Sequence, residues 1–88
     1  MLYTISYDLN KPGQNYPKLF KAIKCTGNWC HPVDSTWFVN SQYSAEAIRD
    51  LLVSTLDSRD SIIVVHTSAP GAWSGLSEEL NRWLKANL

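Results

Sequence analysis

Apolar residues in this chain recur with a period of two, then near 3.6, then two again, and that cycle runs twice. No other feature narrows the fold as much, because a period of two is that of a half-buried strand and 3.6 that of a helix with one face on a core. Residues 2–9 alternate, with Tyr3, Ile5 and Tyr7 pointing one way and Thr4, Ser6 and Asp8 the other. Asn10-Lys11-Pro12-Gly13-Gln14 ends this strand, with Pro-Gly as the turn signal. Asn15 then stands as an N-cap with Pro17 in the first turn, and Tyr16, Leu19, Phe20 and Ile23 fall at helical spacing before Gly27.

The stretch GNWCHPVDSTWFVN reads as two short strands joined at His31-Pro32-Val33-Asp34. A second helix is predicted behind Ser44 as its cap, with Ala45, Ile48, Leu51, Leu52 and Leu56 as its stripe. After the polar turn at residues 57–60, Ile62-Ile63-Val64-Val65 forms a β-branched run, which implies a strand covered on both faces, central or buried in a dimer. The resulting order, strand, helix, strand, strand, helix, strand, predicts an α+β fold of the ferredoxin-like βαββαβ kind. Its antiparallel sheet would carry both helices on one face and leave the other open. Residues 76–88 add a C-terminal helix: Ser77 caps it, and Leu76, Leu80, Trp83, Leu84 and Leu88 form the stripe. The loop before it carries Trp73, expected to anchor against the body or against a protein partner.

With 88 residues, the chain is expected to be a single domain, its core in residues 2–67 and its C-terminal loop and helix in residues 68–88. The composition, 44% hydrophobic and 18% charged, excludes a disordered segment. Eight Lys plus Arg balance eight Asp plus Glu, which counts against an autonomous nucleic-acid binder, because phosphate binding normally needs a basic face. Two cysteines, no long apolar run and an opening that turns polar early predict a cytoplasmic protein with reduced thiols and no membrane association.

The opening YTISYDL, the helix ending at Gly27, the STWFV segment and the strand DSIIVV resemble the CRISPR-associated Cas-two family, with VapD-type toxin ribonucleases as relatives of the same fold. The resemblance covers residues 2–67 in element order, and the Tyr7-Asp8 pair is its one signature. It implies a homodimer in which Asp8 of each subunit faces its counterpart. In catalytic members this pair holds Mg²⁺ (or Mn²⁺) for endonuclease cleavage of RNA or DNA. Other members act as dimeric scaffolds without required nuclease activity. Lys18 roughly matches a basic position of the family's first helix, His31 stands where an arginine is expected, and Ser35 falls on the family's Ser-aliphatic-Phe stretch. Those three are the implied substrate contacts, although Pro32 interrupts the strand and Asp34 adds negative charge beside them.

Read without the resemblance, Asp8 has two roles open to it. It supplies one hard oxygen ligand set per chain, which symmetry would double, or it ends the strand as an Asx turn on the N–H of Asn10 or Lys11. Cys25, Cys30, His31 and His66 have the count but not the spacing of a zinc site. Each histidine reads more simply as a hydrogen-bonded strand residue than as a general base. Residues 2–5 suggest the first aromatic motif of an RNA-recognition motif, but STWFVN lacks its basic, glycine-rich partner. Two functional classes therefore remain: a metal-dependent nuclease acting through Asp8, with Lys18, His31 and Ser35 on the phosphates, and a non-catalytic scaffold engaging a protein or nucleic-acid partner.

Overall fold

The computed structural model describes residues 1–11 and 16–88, so the Pro12-Gly13 turn and the Asn15 cap expected above lie outside the described residues. Its elements are β1 (Leu2–Asp8), α1 (Pro17–Lys24), β2 (Asn28–Val33), β3 (Thr36–Asn40), α2 (Ala45–Val53), β4 (Ser61–His66) and α3 (Glu78–Asn87). The protein is α+β: the four strands form one antiparallel sheet in the order β2-β3-β1-β4. β1 is inside the sheet, with Ile5 opposite Trp37 of β3 on one side and Val64 of β4 on the other.

Alternation decides what each face does. Tyr3, Ile5 and Tyr7 of β1 join Trp37 and Val39 of β3 in one core cluster, which Leu19 and Ile23 of α1 and Ile48 and Leu52 of α2 complete. Full burial of side chains of this size is worth roughly 1.5–3 kcal/mol each before ordering costs, so this face supplies most of the stability. Ser44 caps α2 by accepting the Ala47 N–H at 3.1 Å. Gly27 is required where α1 hands over to β2, because a Cβ there would run into the carbonyl oxygen of Asn40. The two buried hydroxyl residues nearby are satisfied, Thr26 donating to the Ile23 carbonyl and Ser41 to the Thr26 carbonyl.

Three expectations are corrected. β4 is an edge strand, paired with β1 alone, so of the two placements expected for it, central or buried in a dimer, the central one does not hold. Its run is apolar on both sides, but Ile63 and Val65 stay 58% and 47% exposed. The second face of the sheet is not wholly open either, because α3 lies against β2. Trp83 Nε1 donates to Asn28 Oδ1, Asn40 Nδ2 donates to Asn87 Oδ1, and Leu84 is buried. The joint between β2 and β3 is also shorter than expected. β2 continues through Pro32 to Val33, and the ladder shifts register between Cys30 and Val33, the kind of irregularity that lets an edge strand hold a proline.

The Trp73 side chain is half-buried, and its Nε1 donates to Asn81 Oδ1 of α3 at 2.9 Å. The loop indole therefore holds α3 in place. Gly75, with φ +81°, turns the chain into the Ser77 cap, whose Oγ accepts the Leu80 N–H. No helix among the described residues is long and apolar enough to cross a membrane.

Candidate functional site

Asp8 ends β1 opposite Ser61 of β4, exposed, on the face that Thr4 and Ser6 share. The Asx-turn alternative has another owner: Asn10 N–H donates to Asp60 Oδ1 at 2.6 Å, and Asp60 Oδ2 also takes the Asp57 N–H at 2.9 Å. Asp57 is occupied in the same loop, its carboxyl held below the ordinary range chiefly by the Arg59 backbone N–H. Among the described residues, the Asp8 carboxylate has no hydrogen-bonding or ion-pair partner. Among the described residues, too, no three His, Cys, Asp or Glu side chains gather around one point. A magnesium-type cation favours six oxygens, so one chain offers such an ion a single carboxylate, with Ser6 and Ser61 beside it. One chain by itself therefore shows no assembled cation site among the described residues.

His31 lies on the other side of the sheet from Asp8. Its ring stacks on the buried Trp37 at 3.9 Å and 12°, and Phe20 of α1 closes over it at 6.1 Å. Beneath it runs a fixed chain of hydrogen bonds. Trp37 Nε1 donates to the Tyr7 hydroxyl at 3.0 Å, Tyr7 donates to the Asp34 carbonyl at 3.1 Å, and His31 Nε2 meets the same carbonyl at 3.0 Å. Burial pushes the Tyr7 phenol up, the Trp37 N–H opposes this, and the Asp34 charge adds to it. Ser35 is exposed in the turn, and its carbonyl accepts the Tyr7 N–H. His31 and Ser35 are thus held at one end of the core face, next to Tyr7. Asp8 projects from the opposite face.

Lys18 goes elsewhere again, exposed on α1 at a shallow cleft shared with Lys11, Tyr16, Thr55 and Asp57. His66 stands edge-on to Tyr3 at 6.4 Å, at the far edge of the sheet from His31. Cys25 is exposed, whereas burial pushes the Cys30 thiol up to about 11, so Cys30 stays neutral and inert at physiological pH.

The overall charge balance conceals the feature that whole-chain reasoning missed. Residues 9–33 hold Lys11, Lys18, Lys21 and Lys24 and not one Asp or Glu, so all eight acidic residues and only four basic ones lie outside that stretch. The fold places α1 and β2, both from this stretch, next to one another. Lys18, Lys21 and Lys24 recur every three residues on the solvent side of α1, and no salt bridge among the described residues engages them. Lys24 lies over the ring of Trp29 on β2, 4.9 Å from its centroid. A windowed charge count along the sequence would have found this stretch.

No protein-family model matches the chain, and no curated protein matches it at a significant level.

Proposed function

We propose that the protein is a dimeric, Cas-two-like scaffold of ferredoxin-like fold that binds nucleic acid through the lysine surface of α1 and the adjoining edge strand β2. The observation that carries this reading is that residues 9–33 hold lysines and no Asp or Glu, which puts Lys18, Lys21 and Lys24 together on the exposed side of α1 in a neutral chain. Phosphate binding needs a local cluster of cations, not a basic whole. The strand order β2-β3-β1-β4 and the joint packing of α1 and α2 on one core support the ferredoxin-like reading. A cytoplasmic setting fits the two free thiols. Binding of a labelled oligonucleotide across a salt series tests it: affinity should fall steeply as salt rises.

Support for the dimer comes from β4. β2 carries Pro32 within its span, but β4 reads SIIVVH, with neither proline nor a Lys, Arg, Asp or Glu to blunt its free edge. Long apolar edges of this kind invite pairing with another strand. Beside it, Ile63 and Val65 lie with Thr4 and Ser6 on the part of the second face that continues to Asp8. Sedimentation at tens of micromolar, a typical range for a weak homodimer, should give a dimer, and Val65→Lys should return a monomer. A strictly monomeric parent would sink this part of the proposal.

A second reading, a nuclease in which paired Asp8 carboxylates hold Mg²⁺ or Mn²⁺, is favoured by the exposed Asp8 on that same face, which has no partner among the described residues. In it the ion would polarise the scissile phosphate, while Lys18, His31 and Ser35 have no shared position from which to assist within one chain. Asp8→Asn keeps the size and hydrogen-bonding capacity of the side chain and removes the charge a hard cation requires. Metal-dependent cleavage by the parent should vanish in this variant with its melting unchanged. Cleavage that survives would locate the activity elsewhere.

A further inference from the structure

The lysine surface ends at an aromatic side chain whose surroundings say more about the ligand. Trp29 is 38% exposed on edge strand β2, opposite Val39 and so on the core side of the sheet. One side of the ring meets Trp37, with centroids 5.2 Å apart and planes inclined by 52°. Lys24 lies over it at 4.9 Å, and Lys24 is itself exposed. The chain has four tryptophans, and three of them use their indole N–H internally. Trp37 donates to Tyr7, Trp73 to Asn81 and Trp83 to Asn28. Among the described residues, Trp29 Nε1 has no acceptor. Its indole is thus braced on one side, overlain by an exposed cation, and left with an unused donor.

We infer that Trp29 is a stacking platform for an unpaired base, so that the nucleic acid bound along α1 is single-stranded at this point. The inference rests on the lysine-surface reading and narrows it. A duplex keeps its base faces inside its own stack, whereas an unpaired base offers a π-face to an aromatic side chain irrespective of sequence. As a base arrives, the Lys24 ammonium leaves the indole ring for the incoming phosphate. Lys21 and Lys18 continue the positive track along the helix. The Trp29 N–H remains available to a base or phosphate oxygen. RNA and DNA share this chemistry, since neither stacking nor phosphate contact needs the 2′-hydroxyl.

The test compares labelled single strands of roughly ten nucleotides, within the range a small single-strand-binding domain covers, as RNA and as DNA, with the DNA duplex of the same sequence at low salt. The parent should hold either single strand at least ~5-fold more tightly than the duplex, the lower end of what stacking one base contributes. Trp29→Ala should abolish that preference and leave duplex binding as it was. Trp29→Phe, which keeps a ring, should retain most of it. Trp29 lies outside the buried core cluster, so Trp29→Ala should fold, and its melting curve confirms that. Equal affinity for single strand and duplex in the parent, or single-strand affinity unchanged in Trp29→Ala, overturns the inference while the lysine-surface reading stands. No salt-dependent binding of any of the three overturns both.

Discussion

Leu84→Ala is expected to lower the melting temperature by about 10 °C or more, and removal of residues 77–88 to leave little folded protein at 37 °C. Leu84 is 3% exposed, the most deeply buried residue of α3. Truncating a buried leucine costs about 2–5 kcal/mol, and a domain of this size loses roughly 4–8 °C per kcal/mol. Deleting the helix goes further. It takes away Trp83 and Asn87, which hold β2 and β3 through Asn28 and Asn40, and removes the Asn81 acceptor from Trp73. It also strips cover from the second face of the sheet, where Phe38 and Leu84 line the same slot. A small domain has only about 5–10 kcal/mol in total. Arg82→Ala, on the exposed side of the helix, should shift melting by a degree or two at most. A truncated protein that melted with the parent would make α3 an interaction element and not a structural one.

Much of this fold was legible in the sequence because its signals are local. The Ser44 and Ser77 caps, the alternation of β1 and the stripe of α2 each depend on neighbours within a turn or two of chain, and each appears where its chemistry places it. Two residues of the expected stripe are exceptions: Leu56 lies beyond the end of α2 at Val53, and Leu51 is 44% exposed, since a helix this short has room in the core for little beyond Ile48 and Leu52. The order of strands is a different kind of information. The run Ile62–Val65 reports that both faces of β4 are apolar, but not which strands flank it, and crossover connections put it at the edge. The α3 stripe likewise announces a docked helix without saying that β2 receives it.

The candidate site was less legible, for two physical reasons. Assigning His31 to a face requires an unbroken period of two through β2, and the register shift at Pro32 removes that guarantee. The imidazole lies on Trp37, on the core side, with the sheet between it and Asp8. A net charge of zero over the whole chain hides the lysine cluster, because phosphate responds to cations within about a Debye length, ~10 Å at moderate salt.

The most direct measurement is therefore the salt dependence of oligonucleotide binding in the parent and in the triple variant Lys18→Gln, Lys21→Gln, Lys24→Gln. Each phosphate neutralised contributes about 0.7–0.9 to the slope of log affinity against log salt. All three lysines are exposed on α1, so their replacement should leave melting nearly unchanged. The account predicts that the slope becomes shallower by roughly 2 units and that affinity near 0.1 M salt falls by ten-fold or more. The same slope and affinity in parent and variant, or no salt-dependent binding by the parent at all, would contradict it.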